Sequence, residues 1–167
     1  MKQQILKYIE YNLWANQILI DYLNNVPNAH IEQEIISSFP SIRKTLLHIW
    51  DAETLWQLRL EGISLAEFPS LHFHGNNQLL FKNLIKTSKD FHEKVEDQPK
   101  DFFTKTLTFK TISYGESSQL TYDMIHHCMN HSTYHRGQVI TMLRQLGYTD
   151  LPHLDFMLYL IKLGATN

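Results

Sequence analysis

Between Leu120 and Gly147 the chain reads LTYDMIHHCMNHSTYHRGQVITMLRQLG, and four of its ten histidines fall here within ten residues, at His126, His127, His131 and His135. A neutral imidazole offers a nitrogen lone pair and is the commonest protein ligand for a transition metal. The stretch predicts one helix. Thr121 can cap its start, Asp123 suits the first turn, Arg144 suits the last and Gly147 can close it. Residues four apart share a helix face. His127, His131 and His135 therefore form a slowly drifting column, and His126 points elsewhere. A histidine pair at i, i+4 reaches one divalent ion without bending the backbone. The same spacing also serves histidines that simply pack in a core or sit on a surface. Residues 131–135 read HSTYH, so the Glu of the HExxH metalloprotease motif is absent. That argues against a protease of this type and not against a metal.

The positioning elements follow from the rest of the chain. A length of 167 residues fits a single domain over 1–167 with its own core, and 43% hydrophobic and 19% charged residues are ordinary for a globular protein. A formal charge of −2 gives no footprint for nucleic acid or a membrane surface. The single cysteine, Cys128, excludes an internal disulfide; a buried inert thiol is the expectation, ahead of a fourth ligand or a nucleophile. The opening MKQQILKYIEYN lacks a signal-peptide core, and no apolar run approaches the roughly 20 residues that span a bilayer. A cytoplasmic location is expected.

Residues 2–25 predict a first helix, with Ile5, Tyr8, Ile9, Leu13, Asn16, Ile20 and Leu23 in a stripe at helical spacing. Residues 28–40 read as a connection. Residues 41–61 predict a second helix closed by Gly62; His48, Ala52, Leu55 and Trp56 share one of its faces, and Asp51 and Glu53 read as solvated charges or as groups orienting an imidazole. Residues 63–75 form a loop with His72 and His74, read as surface or site-mouth groups. Residues 76–97 predict a third helix through Leu79, Leu80, Leu84, Ile85, Phe91 and Val95, stopped by Pro99. Residues 102–119 are rich in Thr and aromatics and predict a short β-hairpin or extended crossover, with Leu107 and Phe109 on one side and a turn at Ser113–Glu116. Residues 151–164 predict a short apolar helix that packs Phe156, Met157, Tyr159 and Leu160 on the bundle or on a second subunit.

Four long helices with apolar stripes predict an all-α four-helix bundle with the hairpin or crossover before the fourth long helix. Bundles build metal sites from facing helices. His48 then becomes a third imidazole aimed at the pair on the fourth helix. Three histidines with open positions suit catalysis better than a closed structural site.

The segment HHCMNHSTYHRGQVITMLRQLG resembles the last-helix signature of the DinB/YfiT-like proteins, the damage-inducible DinB superfamily. TLLHIWDAETLW resembles their second-helix signature, YIEYNLWANQILIDYL their first helix, and LDFMLYL their closing segment. The resemblance implies an up-down-down-up bundle holding a divalent metal, often nickel or zinc, with manganese or iron as further options. By position the implied ligands are His48, His131 and His135, with His127 lining the site. It implies a homodimer for many members and, among characterised relatives, transferases that use bacillithiol or mycothiol and a mycothiol-dependent maleylpyruvate isomerase. Others are called metal-dependent hydrolases. The expected activity is therefore a metal-dependent S-transferase-like or hydrolase-like reaction on a small molecule, possible co-substrates including a low-molecular-weight thiol. The alternative is a non-catalytic metal-binding or structural bundle. Asn130, Tyr134 and Gln138 lie on or beside the pair and read as interhelical contacts or ligand-orienting groups. Arg136 reads as a surface or capping partner, and Gly137 as a residue permitting close helix packing.

Overall fold

The computed structural model describes residues 1–112 and 114–165. Four long helices, α1 (Lys2–Leu23), α3 (Ile42–Leu60), α4 (Asn77–Glu96) and α5 (Thr121–Gln145), form the bundle. Two short helices, α2 (Asn28–Glu32) and α6 (Phe156–Ala165), flank it, and a hairpin of β1 (Thr106–Thr111) and β2 (Gly115–Leu120) is inserted between α4 and α5. The hairpin is antiparallel, with Phe109 opposite Ser117 and Thr111 opposite Gly115. The predicted turn residue Ser113 lies outside the described residues.

The helices form a ring in which α1 and α3 each pack against both α4 and α5. Their directions follow from which ends meet. Lys2 at the start of α1 donates to the carbonyls of Glu96 and Gln98 at the end of α4, so these two run antiparallel. Arg43 at the start of α3 donates to Asn77 at the start of α4, so these run parallel. Thr45 meets Met142 while Trp56 meets His127, so α3 and α5 are antiparallel. The order is up-down-down-up. Ser41 and Asn76 cap α3 and α4 by accepting from the N–H groups of Lys44 and Leu79. Gly62 and Gly147 follow their helices at φ 78° and 91°, a region that suits a residue without Cβ.

Two apolar clusters fill the ring. One gathers Leu19, Leu23, Ile42, Leu46, Leu84 and Leu143. The other gathers Ile5, Ile9, Phe91, Val95, Ile125 and Met129. Between them lies a buried polar layer. Glu53, fully buried, accepts from Asn12 (2.8 Å), Asn16 (2.9 Å) and Ser132 (3.0 Å) on one oxygen and from Ser88 (2.5 Å) on the other. Arg136, also buried, donates to the side-chain oxygens of Asn12, Asn16 (2.9 Å) and Thr133 (2.8 Å). The two amides thus relay between a carboxylate and a guanidinium, and every long helix contributes. A buried charge is tolerable only when it is paired and hydrogen-bonded in this way.

Several expectations are corrected. Glu53 is not a solvated charge, and neither is Asp51, which is buried and accepts from the N–H (2.8 Å) and hydroxyl (2.6 Å) of Ser70. Arg136 is a core residue. Thr121 does not cap α5: it is the first helical residue, and its hydroxyl donates to the carbonyl of Phe102. The first helix stops at Leu23, the 28–40 connection contains α2, and the last helix begins at Phe156, because Leu151–Asp155 stays non-helical around Pro152. Leu79 is exposed, on the outer face of α4.

Candidate metal centre

His48 comes from the middle of α3, and His131 and His135 from successive turns of the antiparallel α5. One ring nitrogen from each lies within 4.8 Å of the others. The Nε2 atoms of His48 and His131 are 2.9 Å apart. Ligands held at the usual zinc–nitrogen distance of about 2.0–2.1 Å stand roughly 2.9–3.4 Å apart at bond angles of 90–109°. The closest pair is already at that spacing. The donor set suits a borderline divalent ion.

Two of the imidazoles, His135 and His48, are held by residues outside the triad. His135 Nδ1 donates to Gln138 Oε1 (2.8 Å), which leaves its Nε2 with the lone pair. Gln138 is itself oriented by donating to Ser38 (3.1 Å). Phe39 stacks on His48 with ring centroids 4.2 Å apart and meets His135 edge-on at 5.5 Å. Ser132, next to His131, is anchored on Glu53. Burial, and then the His135 ring, push His48 down to about 4. Burial and the neighbouring His135, His48 and His127 push His131 down to about 3. Burial lowers His135 as well, opposed by its bond to Gln138. All three rings are thus neutral at pH 7 and present lone pairs, the state a metal requires.

His48 and His131 open onto a cavity of about 570 Å³, large enough for a small organic molecule. Its floor follows α3 through Ala52, Leu55 and Trp56, and residues of the hairpin, among them Phe109, form a wall. His127 lines it too, against Trp56, and burial followed by the charge of Arg59 lowers its pKa.

The family model described as DinB family matches residues 1–161. The chain belongs to the DinB family. Protein DinB of Bacillus subtilis (strain 168) is 32% identical over 166 residues, covering 96% of this chain and 95% of that protein. A DinB-like protein from Bacillus cereus ATCC 10987 superposes with a TM-score of 0.72 at 18% identity over 90% of this chain and 96% of its own. A DinB-like protein from Bacillus subtilis gives 0.68 at 14% identity over 89% of this chain and 96% of its own. At these identities the solved structures speak for the DinB fold alone.

Within this DinB-family fold the structure brings His48, His131 and His135 together and places the other candidates elsewhere. His126 packs on Tyr122 and Tyr8, away from the centre. His72 pairs with Glu67 on the surface (2.6 Å), and His74 is exposed. Cys128 is fully buried, and burial raises its thiol well above the ordinary range, so it is an inert core group. Asn130 faces outward; Tyr134 is exposed but meets the His135 ring edge-on at 5.0 Å, and Gln138 hydrogen-bonds the same histidine. A Cβ added at Gly137 meets nothing within 4 Å, so this glycine does not admit a close helix. Arg59 went unnoticed in the sequence. It continues the His48–Ala52–Leu55–Trp56 face by three residues, and that continuation is the signal that pointed to it.

Proposed function

We propose that this DinB-family protein is a metal-dependent enzyme in which His48, His131 and His135 hold a divalent ion, nickel or zinc foremost, with manganese or iron as further options. The observation that carries this reading is the convergence of three neutral imidazoles, two of which line an open cavity. When bound there, such an ion acidifies a coordinated water or thiol and polarises a coordinated oxygen. The chain supplies the remainder. Gln138 fixes the tautomer of His135, Phe39 holds the ring plane of His48, and Leu55 and Trp56 offer an apolar surface to the substrate body. A thiol-dependent transfer, with a low-molecular-weight thiol and an electrophile as substrates, is the first reaction class; hydrolysis is the second. We place the protein in the cytoplasm as a homodimer. Among the described residues no helix is long and apolar enough to cross a membrane.

The test is metal content by mass spectrometry on untagged protein, for wild type and for His48→Ala, His131→Ala and His135→Ala. Near one ion per chain in wild type, lost in all three variants, supports the reading. An absence of metal after reconstitution with nickel, zinc, manganese or iron sinks it and leaves a structural bundle. Turnover of an electrophile that depends on added thiol, against turnover in water alone, separates transferase from hydrolase. Light scattering in solution reads the oligomeric state.

A further inference from the structure

Arg59 is 7% exposed and lines the same cavity as His48 and His131. Its Nε has no hydrogen-bond partner, and among the described residues its guanidinium makes no hydrogen bond and no ion pair. What it touches is aromatic. Its Cζ lies 4.6 Å from the ring of Trp56 and 4.9 Å from that of Phe109, in the corner formed where those rings meet edge-to-face at 5.4 Å. The contrast with Arg136 is informative. Arg136, more deeply buried and likewise with an unpartnered Nε, still has three side-chain acceptors and feels the charge of Glu53. The fold therefore gives Arg136 side-chain acceptors, whereas Arg59 lies on the cavity lining with no side-chain acceptor among the described residues. Asp123 also lines the cavity but does not pair with Arg59.

We propose that Arg59 is an anion receptor, taking the carboxylate of a small molecule whose apolar body lies along Ala52 and Leu55 toward the three histidines. A guanidinium presents a planar fork of N–H donors that a carboxylate matches with two parallel hydrogen bonds. The aromatic corner backs that fork and keeps water from one side. One guanidinium matches one carboxylate, and Asp123 on the same cavity lining weighs against a dianionic phosphate. The scale is set by α3. His48 and Arg59 are eleven residues apart, about 16 Å of helical rise. The carboxylate thus sits at the far end of the molecule from the group presented to the histidines. This assignment deepens the enzymatic reading, since it takes the cavity as the substrate's.

The experiment titrates untagged protein with 4-phenylbutanoate and with its neutral isostere 4-phenylbutanamide, following the Trp56 indole N–H by NMR. The carboxylate is expected to bind about tenfold tighter than the amide, or more, the difference made by charge-assisted bonds to one guanidinium. Arg59→Gln abolishes that preference, and Arg59→Lys keeps part of it, which covers the case in which the glutamine variant folds poorly. The preference persists in His131→Ala, because the receptor is remote from the triad; this arm holds even if no metal ever binds. Equal binding of acid and amide to wild type, or no saturable binding of the acid at millimolar concentration, overturns the proposal. So does a preference that survives Arg59→Gln and disappears in His131→Ala, which would put the anion at the histidines.

Discussion

Replacing Glu53 by Gln keeps the shape of the side chain and removes its charge. The carboxylate accepts from four side chains, and the glutamine carbonyl can still receive those from Asn12, Asn16 and Ser132. Ser88 can turn its hydroxyl proton to the carbonyl of Leu84, 3.0 Å away, and accept from the new amide. The bonding pattern therefore survives, and what is lost is charge. Three charge-assisted bonds become neutral, and Arg136 loses the anion it feels across Asn12 and Asn16. Removing one member of a buried pair costs about 3–5 kcal/mol. With the shape retained, the lower end applies, about 3 kcal/mol. That is a large part of the roughly 5–15 kcal/mol that hold a domain folded. For a chain of this size it moves the midpoint of thermal unfolding down by roughly 6–12 °C. Urea unfolding of wild type, Glu53→Gln, Arg136→Met and the double variant reads it directly. The double variant should cost less than the sum of the singles, because it leaves no lone charge behind. A single-variant loss below about 1 kcal/mol, or strict additivity of the two, would refute a coupled charge layer.

Other consequences are open to measurement. In metal-free protein His48 and His131 titrate near 4 and 3, below the ordinary value of about 6.5 that they regain on unfolding. Below pH 6.5 the unfolded chain takes up protons that the folded chain refuses, so stability falls as the pH drops from about 6.5 toward 3, with no contribution from these groups above that window. Urea midpoints against pH should show this slope, and His48→Ala should flatten it. Gln138→Leu should weaken metal binding about 10- to 100-fold by freeing the tautomer of His135; unchanged affinity in a competition titration would dismiss that role. Gly137→Ala should raise stability by about 0.4–1 kcal/mol, since its new methyl meets open space on a helix; a lower thermal midpoint would contradict this.

The ring of helices was legible because its signals are repetitive. The stripes of α1, α3 and α4 recur at helical spacing, and Gly62 and Gly147 follow α3 and α5 where the sequence placed them. The triad was legible for the same reason, with His131 and His135 on one face and His48 on a facing helix. The polar layer was misread because charge is normally a sign of solvent. Yet Glu53 follows Leu46 and Ile49 at intervals of three and four, and Arg136 stands between Met129, Ser132 and Val139 on the inner face of α5. Position on the stripe carried the information, and residue type obscured it. What periodicity does not encode is pairing across helices. Nothing local tells that Asn12 relays between Glu53 and Arg136, at separations of 41 and 124 residues. The same blindness hid Arg59, whose character depends on partners that fail to arrive.

The hairpin between α4 and α5 has a consequence for how this architecture can change. Residues 106–112 and 114–120 supply a wall of the cavity and none of the three histidines. Their ties to the bundle include Phe109 against Trp56, the N–H of Lys110 on Ser64 and the N–H of Thr121 on the carbonyl of Lys105. The three histidines are thus carried by α3 and α5, while part of the cavity contour is carried by the hairpin. Under the proposed function, substitutions or length changes in that hairpin would retune which molecules enter without displacing the three histidines, so selectivity and reactivity would drift separately in descendants of the fold.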